Sequence, residues 1–167
     1  MVKSLRRREG YTLTEMLMVV AIIGILASIG ARILVQVNRY FIMTSTRSEL
    51  QREARSLMYV INRNLRQAQN TSVKIDRANT SQPFYSRLTF TKIQGTTMTF
   101  SQSGASLIQT VGSSNKTLTK NLKYLAFTFP RSDDLSIVSV SITLEKSIYQ
   151  GRTKALHMAS EKVRVMN

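Results

Sequence analysis

One acidic side chain lies inside a long apolar stretch near the start of the chain, and its chemistry needs an explanation. Glu15 directly precedes an uncharged run over residues 16–31. An ionised carboxylate costs about 3 kcal/mol in a membrane-buried helix, so such residues are usually paired and functional. If the chain were cut between Gly10 and Tyr11, the new α-amine would lie about one helical turn from Glu15 and would supply a countercharge. The α-amine of a neighbouring subunit in an assembly could do the same.

The apolar run is just long enough to enter a bilayer, and a basic cluster precedes it. By the positive-inside rule, Lys3 and the three arginines at positions 6–8 stay on the cytoplasmic side. Two simpler interpretations compete here. A bare transmembrane anchor would need neither a Gly–aromatic pair nor Glu15. A secretory signal cleaved near Ser28-Ile29-Gly30 would have Glu15 inside its apolar core.

The segment GYTLTEML, residues 10–17, resembles the class III signal of type IV pilins and type II secretion pseudopilins. In that family a prepilin peptidase cuts after the glycine and methylates the new N-terminus. A glutamate at the fifth mature position guides subunits into the filament. The resemblance therefore implies cleavage after Gly10, methylation of Tyr11 and an assembly role for Glu15. Two features depart from the family pattern: the first mature residue is usually Phe, and major pilins often carry a proline in the region of Arg32.

The resemblance also implies a single-pass protein of the cytoplasmic membrane, with a leader over residues 1–10 and a C-terminal domain outside. Its implied partners are prepilin peptidase, other pilin or pseudopilin subunits, an inner-membrane assembly platform and membrane lipid. Residues 51–55 through 64–68 also resemble J-type minor pseudopilins and W-type minor pilins. We expect a structural subunit that starts or caps a type II secretion pseudopilus or a type IV pilus. The alternative is a competence-type minor pilin that binds DNA.

A helix is predicted from residue 14 to about residue 69, because no proline interrupts this stretch. Its first part, residues 11–35, suits a membrane or a filament core, and residues 36–70 form an amphipathic second part. Apolar side chains recur there at three- and four-residue spacing, the pattern of a helix face against a core. We expect Glu49 and Glu53 to form ion pairs with Arg52 or Arg55, and Glu49 lies three residues before Arg52, a helical spacing. The core-facing positions are Leu50, Ala54, Leu57, Met58, Ile61, Leu65 and Ala68, and the outward arginines are Arg52, Arg55, Arg63 and Arg66.

Short alternating runs replace the helical pattern after a polar loop over residues 71–86 that contains Pro83. Residues 71–167 are predicted to form an antiparallel sheet with one face on a core. Packing that face on the helix stripe gives an α+β, pilin-like fold. The strand candidates are residues 88–91, 98–100, 107–111, 125–129, 138–144 and a last strand within 156–165, with turns at Gln94-Gly95, Asp133-Asp134 and Gln150-Gly151.

The charge and composition of the chain indicate several classes of partner but do not distinguish among them. The 167-residue chain carries a formal charge of +15, and loss of residues 1–10 would remove four basic residues and one acidic residue, leaving +12. This surplus favours acidic partners or nucleic acid, and it also suits a subunit beside anionic lipid. Because the chain has no cysteine, neither disulfides nor thiolate metal sites are available.

Two clusters of basic residues, one before a predicted strand and one near the end of the chain, are candidates for contact with DNA. Two nearby tyrosines, Tyr124 and Tyr149, could stack on bases. A solvated basic surface explains the same residues, and we favour that interpretation. The basic candidates are Lys116, Lys120, Lys123, Arg152, Lys154, Lys162 and Arg164.

Residues suited to catalysis or metal binding are few. His157 is the single histidine and fits an ordinary strand position. Asp133 and Asp134 could bind calcium through oxygen ligands, but adjacent acids also serve as a turn. The sequence contains no glycine-rich phosphate loop and no nucleophile elbow. We therefore expect no enzymatic activity, no cofactor and no metal site.

Overall fold

One long helix, α1, spans Leu13–Leu65 and contributes to both compact units into which the chain divides. The computed structural model describes residues 10–149 and 153–166. The first unit ends at Ile42, and the second begins at Met43. The predicted turn at Gln150-Gly151 lies outside the described residues.

The end of α1 comes earlier than predicted because the backbone turns and joins a sheet. Ala68 N–H donates to the Leu65 carbonyl at 3.0 Å, a tightened bond typical of helix ends. Gln69 N–H then donates to the Thr91 carbonyl at 2.9 Å, and Ala68 forms an isolated antiparallel bridge with Lys92. Ala68 is therefore buried as expected, but it lies in a bridge and not on the helix.

The second half of α1 buries one face and exposes the other. Leu50, Ala54, Ile61 and Leu65 have no exposed surface, because their spacing keeps them on the same side of the helix. The four arginines that were expected to point outward are all exposed. The amphipathic helix predicted from the periodicity is thus confirmed between Leu50 and Leu65.

The first sheet is an antiparallel meander of five strands in chain order. Its strands are β1 Lys74–Asp76, β2 Arg87–Thr91, β3 Thr97–Ser103, β4 Ser106–Val111 and β5 Ser114–Thr119. Alternation along β2 and β3 places Leu88, Phe90, Met98 and Phe100 on the buried side. Gly104, with a φ of 57°, makes the tight turn between β3 and β4. Neither β1 nor β5 was among the predicted strands.

The second sheet has three antiparallel strands, β6 Leu122–Thr128, β7 Ile137–Tyr149 and β8 Thr153–Arg164, in that order. The outer edge of β6 is covered by the first sheet's connections. Leu122 N–H donates to the Ala105 carbonyl, and Phe127 N–H donates to the Tyr85 carbonyl, each at 2.9 Å. The predicted α+β class is confirmed, with its strands divided between two sheets and not gathered into one.

A single hydrophobic cluster joins the buried face of α1 to both sheets. The largest side chains with no exposed surface are Phe90, Phe100 and Phe127. Packing of the helix stripe on the strands was the arrangement expected from the sequence. The buried cluster comprises Leu50, Ala54, Leu57, Met58, Ile61, Leu65, Ala68, Leu88, Phe90, Met98, Phe100, Leu107, Leu122, Leu125, Phe127, Val138, Val140, Ile142, Leu144, Ala155, Val163 and Val165.

Two acidic side chains of α1 contact the strands and their connections, not the arginines of α1 as expected. Glu49 forms an ion pair with Lys146 at 2.7 Å. Glu53 accepts hydrogen bonds from Thr119 Oγ1 at 2.5 Å and from Asn121 Nδ2 at 2.9 Å. These contacts fix the helix on the sheets by polar as well as apolar interactions.

Candidate processing and assembly site

The start of α1 is closed by a reciprocal set of hydrogen bonds between Thr12 and Glu15. The Glu15 N–H donates to Thr12 Oγ1 at 3.3 Å. In return, Glu15 Oε2 accepts from the Thr12 N–H at 2.8 Å and from Thr12 Oγ1 at 2.9 Å. This is a capping box, which satisfies backbone donors that have no partner inside the helix.

The capping box gives Glu15 a role that our interpretation of the sequence missed. The spacing Thr12-Leu13-Thr14-Glu15 is itself the signal, since a Thr followed three residues later by a Glu marks a helix start. A carboxylate in the first turn also interacts favourably with the helix dipole. Within the described chain, Glu15 is therefore a partnered carboxylate at a helix end and not an isolated charge in apolar surroundings.

The bond between Gly10 and Tyr11 lies just before this cap, in a segment without helix or strand structure. Tyr11 is 84% exposed. A Cβ added to Gly10 would meet no heavy atom within 4 Å among the described residues. Packing against the described residues therefore does not require a glycine here. A preference for glycine at this position would come from something that acts on the exposed backbone.

The apolar first part of α1 has no packing partner within the described chain. Every large apolar side chain from Tyr11 to Phe41 is exposed. An eighteen-residue window of the helix has a mean hydropathy of 2.4, so the helix is long and apolar enough to cross a membrane. Glu15 is the one acidic residue of the sequence between Tyr11 and Glu49.

The basic candidates for DNA contact are only partly brought together. Lys120 and Lys123 line a shallow cavity of about 340 Å³ together with Glu145. Glu145 forms ion pairs with Lys123 at 3.7 Å and with Lys154 at 2.6 Å. The hydrogen bond from Lys154 lowers the pKa of the Glu145 carboxyl. Two of the candidate lysines therefore share one counterion, which reduces the positive potential of this surface.

The remaining basic candidates do not extend that cluster. Lys116 is exposed on β5, and its register partner on β4 is Gln109. Lys162 and Arg164 are exposed on β8. Arg152 lies outside the described residues.

The residues considered for metal binding or catalysis have ordinary structural surroundings. His157 is half-buried on β8, where it pairs in register with Leu144. Asp134 Oδ1 accepts hydrogen bonds from the Ser136 hydroxyl and N–H, and the hydroxyl bond lowers the pKa of Asp134. Asp133 forms an ion pair with Arg131 at 3.3 Å. Across residues 10–149 and 153–166, no group of three His, Cys, Asp or Glu side chains could hold a metal ion.

Comparison with known families identifies one segment of the chain. A family model described as the prokaryotic N-terminal methylation motif matches residues 5–31, which include Gly10, Tyr11 and Glu15. No curated protein and no solved structure matched.

The motif supports a pilin- or pseudopilin-type subunit, and it implies processing by a prepilin peptidase and assembly with other pilins. Proteins with this motif are structural subunits. Together with the apolar helix, the motif fits single-pass anchoring in the inner membrane.

Proposed function

We propose that this protein is a minor pseudopilin or minor pilin that enters a filament through its N-terminal helix. The observation that carries the proposal is the position of Glu15. It lies in the first turn of an exposed apolar helix, four residues after the exposed Tyr11, inside a segment that matches the methylation motif. Cleavage needs an exposed peptide bond before Tyr11, methylation needs the Tyr11 amine that cleavage creates, and pairing needs the carboxylate of Glu15 near that amine.

Prepilin peptidase would hydrolyse the peptide bond between Gly10 and Tyr11 and release residues 1–10. Tyr11 would then carry the new α-amine, and its methylation would leave the amine able to hold a positive charge. The neighbouring N–H, that of Thr12, already lies 2.8 Å from Glu15 Oε2. The capping box would therefore keep the carboxylate close to Thr12, the residue after the one that carries the new amine.

Glu15 would pair with a terminal amine of its own or of a neighbouring subunit. In lipid or in a filament core, an unpaired charge is strongly disfavoured, whereas a paired carboxylate and amine can be accommodated. The exposed apolar side chains of α1 would then pack against the equivalent helices of other subunits. The carboxylate would thus select processed chains, because only these carry the amine at the right position.

The helix would anchor the chain once in the cytoplasmic membrane before assembly. At about 1.5 Å per residue, residues 13–31 span about 28 Å, close to the roughly 30 Å thickness of a bilayer's hydrocarbon core. The basic residues before Gly10 favour a cytoplasmic N-terminus, so the β-rich unit would lie outside. The assembly platform in the inner membrane would move such subunits into the filament.

The chain would start or cap a short filament, in the manner of a J-type minor pseudopilin or a W-type minor pilin. The support for this subtype is the resemblance of residues 51–68 to those subunits. The alternative, a competence-type minor pilin that binds DNA, has weaker support because Glu145 pairs with both Lys123 and Lys154 and offsets part of their positive charge. Retention of duplex DNA by the purified protein at moderate salt would favour that alternative.

The direct test is mass analysis of the N-terminus in cells with and without the peptidase. We expect a chain that begins with methylated Tyr11 only when the peptidase is present. A matched pair of variants sharpens the test: Gly10→Val should block cleavage, whereas Tyr11→Phe should be processed normally. A mature chain that still contains residues 1–10 in cells with active peptidase would contradict the proposal.

A further inference from the structure

A groove runs between the second half of α1 and the edge strand β8. Its volume is about 960 Å³, and both of its walls belong to the second compact unit. The floor is apolar, with Met58 nearly buried in the core. Tyr59 at 65% exposure and Met158 at 72% leave large apolar surfaces open beside it. Such surfaces rimmed by charge are typical of sites that bind another chain.

The backbone along one side of the groove is an open sheet edge. β8 has twelve residues, the longest edge strand of either sheet, and β7 is the strand that pairs with it. The amides on the outer edge of β6 donate to carbonyls of the first sheet's connections. Among the described residues, no equivalent backbone bonds reach the outer edge of β8. An edge of this length is a template for an added strand.

The other side of the groove is basic. Arg55 and Arg63 of α1 line it, as does Arg66 just after the helix end, and all three are exposed. Glu161 is the one acidic side chain among the lining residues that the structure describes, and it already accepts a hydrogen bond from Asn62. Within residues 10–149 and 153–166, neither these three arginines nor the outer edge of β8 has a partner.

We propose that this groove binds an extended acidic segment of a partner protein, which adds to β8 as a further strand. Backbone hydrogen bonds to β8 would supply affinity. Alternate side chains would face α1, with acidic groups on the arginines and apolar groups on Tyr59 and Met58. The proposal does not depend on cleavage of the leader or on the pairing of Glu15.

Charge and shape distinguish this occupant from two others. A second copy of the chain would bring another surplus of positive charge to the arginines of the groove. The phosphates of duplex DNA would match the charge of the arginines. However, DNA has no peptide backbone to pair with β8, and its charged backbone would not pack on the apolar floor. An acidic strand satisfies the charge, the edge and the floor together.

The test uses the full chain in lipid nanodiscs and a capped peptide of about six residues, a common strand length. Thr occupies every second position of the peptide, and Glu and Val take turns at the positions between, so that one face carries both acidic and apolar side chains. We expect saturable binding and slower hydrogen exchange confined to residues 154–164. A peptide with Pro at its two central positions loses an N–H donor toward β8 in either alignment of the strand, so its binding should be weaker by about tenfold or more. Arg63→Glu/Arg66→Glu should weaken the parent peptide about tenfold.

A matched control keeps the charge change the same. Arg47→Glu/Arg52→Glu reverses two exposed arginines of α1 outside the groove and should leave peptide binding unchanged. Three results would overturn the proposal: no binding, equal binding of the proline peptide, or exchange in β8 that the peptide does not slow. Tighter binding of duplex DNA that the groove variant alone abolishes would assign the groove to nucleic acid and would also overturn it.

Discussion

The two units of this chain share one helix, but its apolar side chains are exposed in the first unit and largely buried in the second. In the first unit the large apolar side chains between Tyr11 and Phe41 are 49–84% exposed. In the second unit Leu50, Ile61 and Leu65 have no exposed surface and pack on the strands. Helix formation alone therefore does not show where the stabilising contacts come from. The second unit contains its own core, whereas the described part of the first exposes a long apolar surface of the kind that binds a membrane or another chain.

The largest expected effect of this difference concerns two isoleucines on the same helix. Ile61→Ala should destabilise the second unit by about 2–5 kcal/mol, because it leaves a cavity in the core. Ile23→Ala should leave that stability unchanged, since Ile23 is 58% exposed and belongs to the first unit. Urea unfolding of the full chain in mild detergent, followed by circular dichroism of the strands, measures both variants. Equal losses in the two variants would show that the units are not energetically distinct.

A smaller effect should separate two glutamates of the second unit. Glu53→Ala should cost about 1–3 kcal/mol, because Thr119 is only 5% exposed and would lose the acceptor for its hydroxyl. Glu49→Ala removes an exposed ion pair with Lys146 and should cost less than about 1 kcal/mol. The same unfolding measurement compares them. A larger loss of stability for Glu49→Ala would mean that burial does not determine how much these polar contacts to the helix contribute to stability.

The smallest expected effect is a pH dependence at the surface of the second sheet. The pKa of Glu145 is lowered, first by the hydrogen bond from Lys154 and then by the charge of Lys123. Its stabilising contribution is therefore complete above the ordinary carboxyl pKa and is lost as the pH falls through the lowered value. Glu145→Gln should be less stable than the parent at pH 7 and equally stable near pH 2. A stability difference that grows at acid pH would have the wrong sign for this contact.

How far the sequence predicted the fold depended on whether a feature was local. The helix stripe and the alternation in β2, β3 and β7 are local patterns, and these elements were predicted. The helix end was not, because Ala68 fits the helical spacing and its bridge to Lys92 depends on a strand far along the chain. β5 was missed because most of its residues are polar and exposed on an edge. Alternation also does not say which strands pair, so the division into two sheets was not predictable.

The candidate site also rests on a local pattern, and the roles of its residues stay predictions. Gly10, Tyr11 and Glu15 were recognised from a short local motif, and the family comparison matches the segment that contains them. The capping box was equally local but was overlooked, because Glu15 was considered only as a charge in apolar surroundings. The groove beside β8 is formed by the side of α1 and by the edge of a strand about a hundred residues later in the chain. No local sequence pattern predicts that these two surfaces lie together.

The account depends most on the charge of Glu15, and Glu15→Gln tests that charge most directly. A glutamine at this position can still accept the Thr12 N–H bond and complete a capping box, but it cannot neutralise a terminal amine. In cells with the assembly machine, we predict that the amount of processed Glu15→Gln chain found in filaments is at least about tenfold lower than that of the parent. Thr12→Ser, which keeps the cap and the carboxylate, should assemble normally. Incorporation of Glu15→Gln at the parental level would contradict the account and would leave the carboxylate only its role in the helix cap.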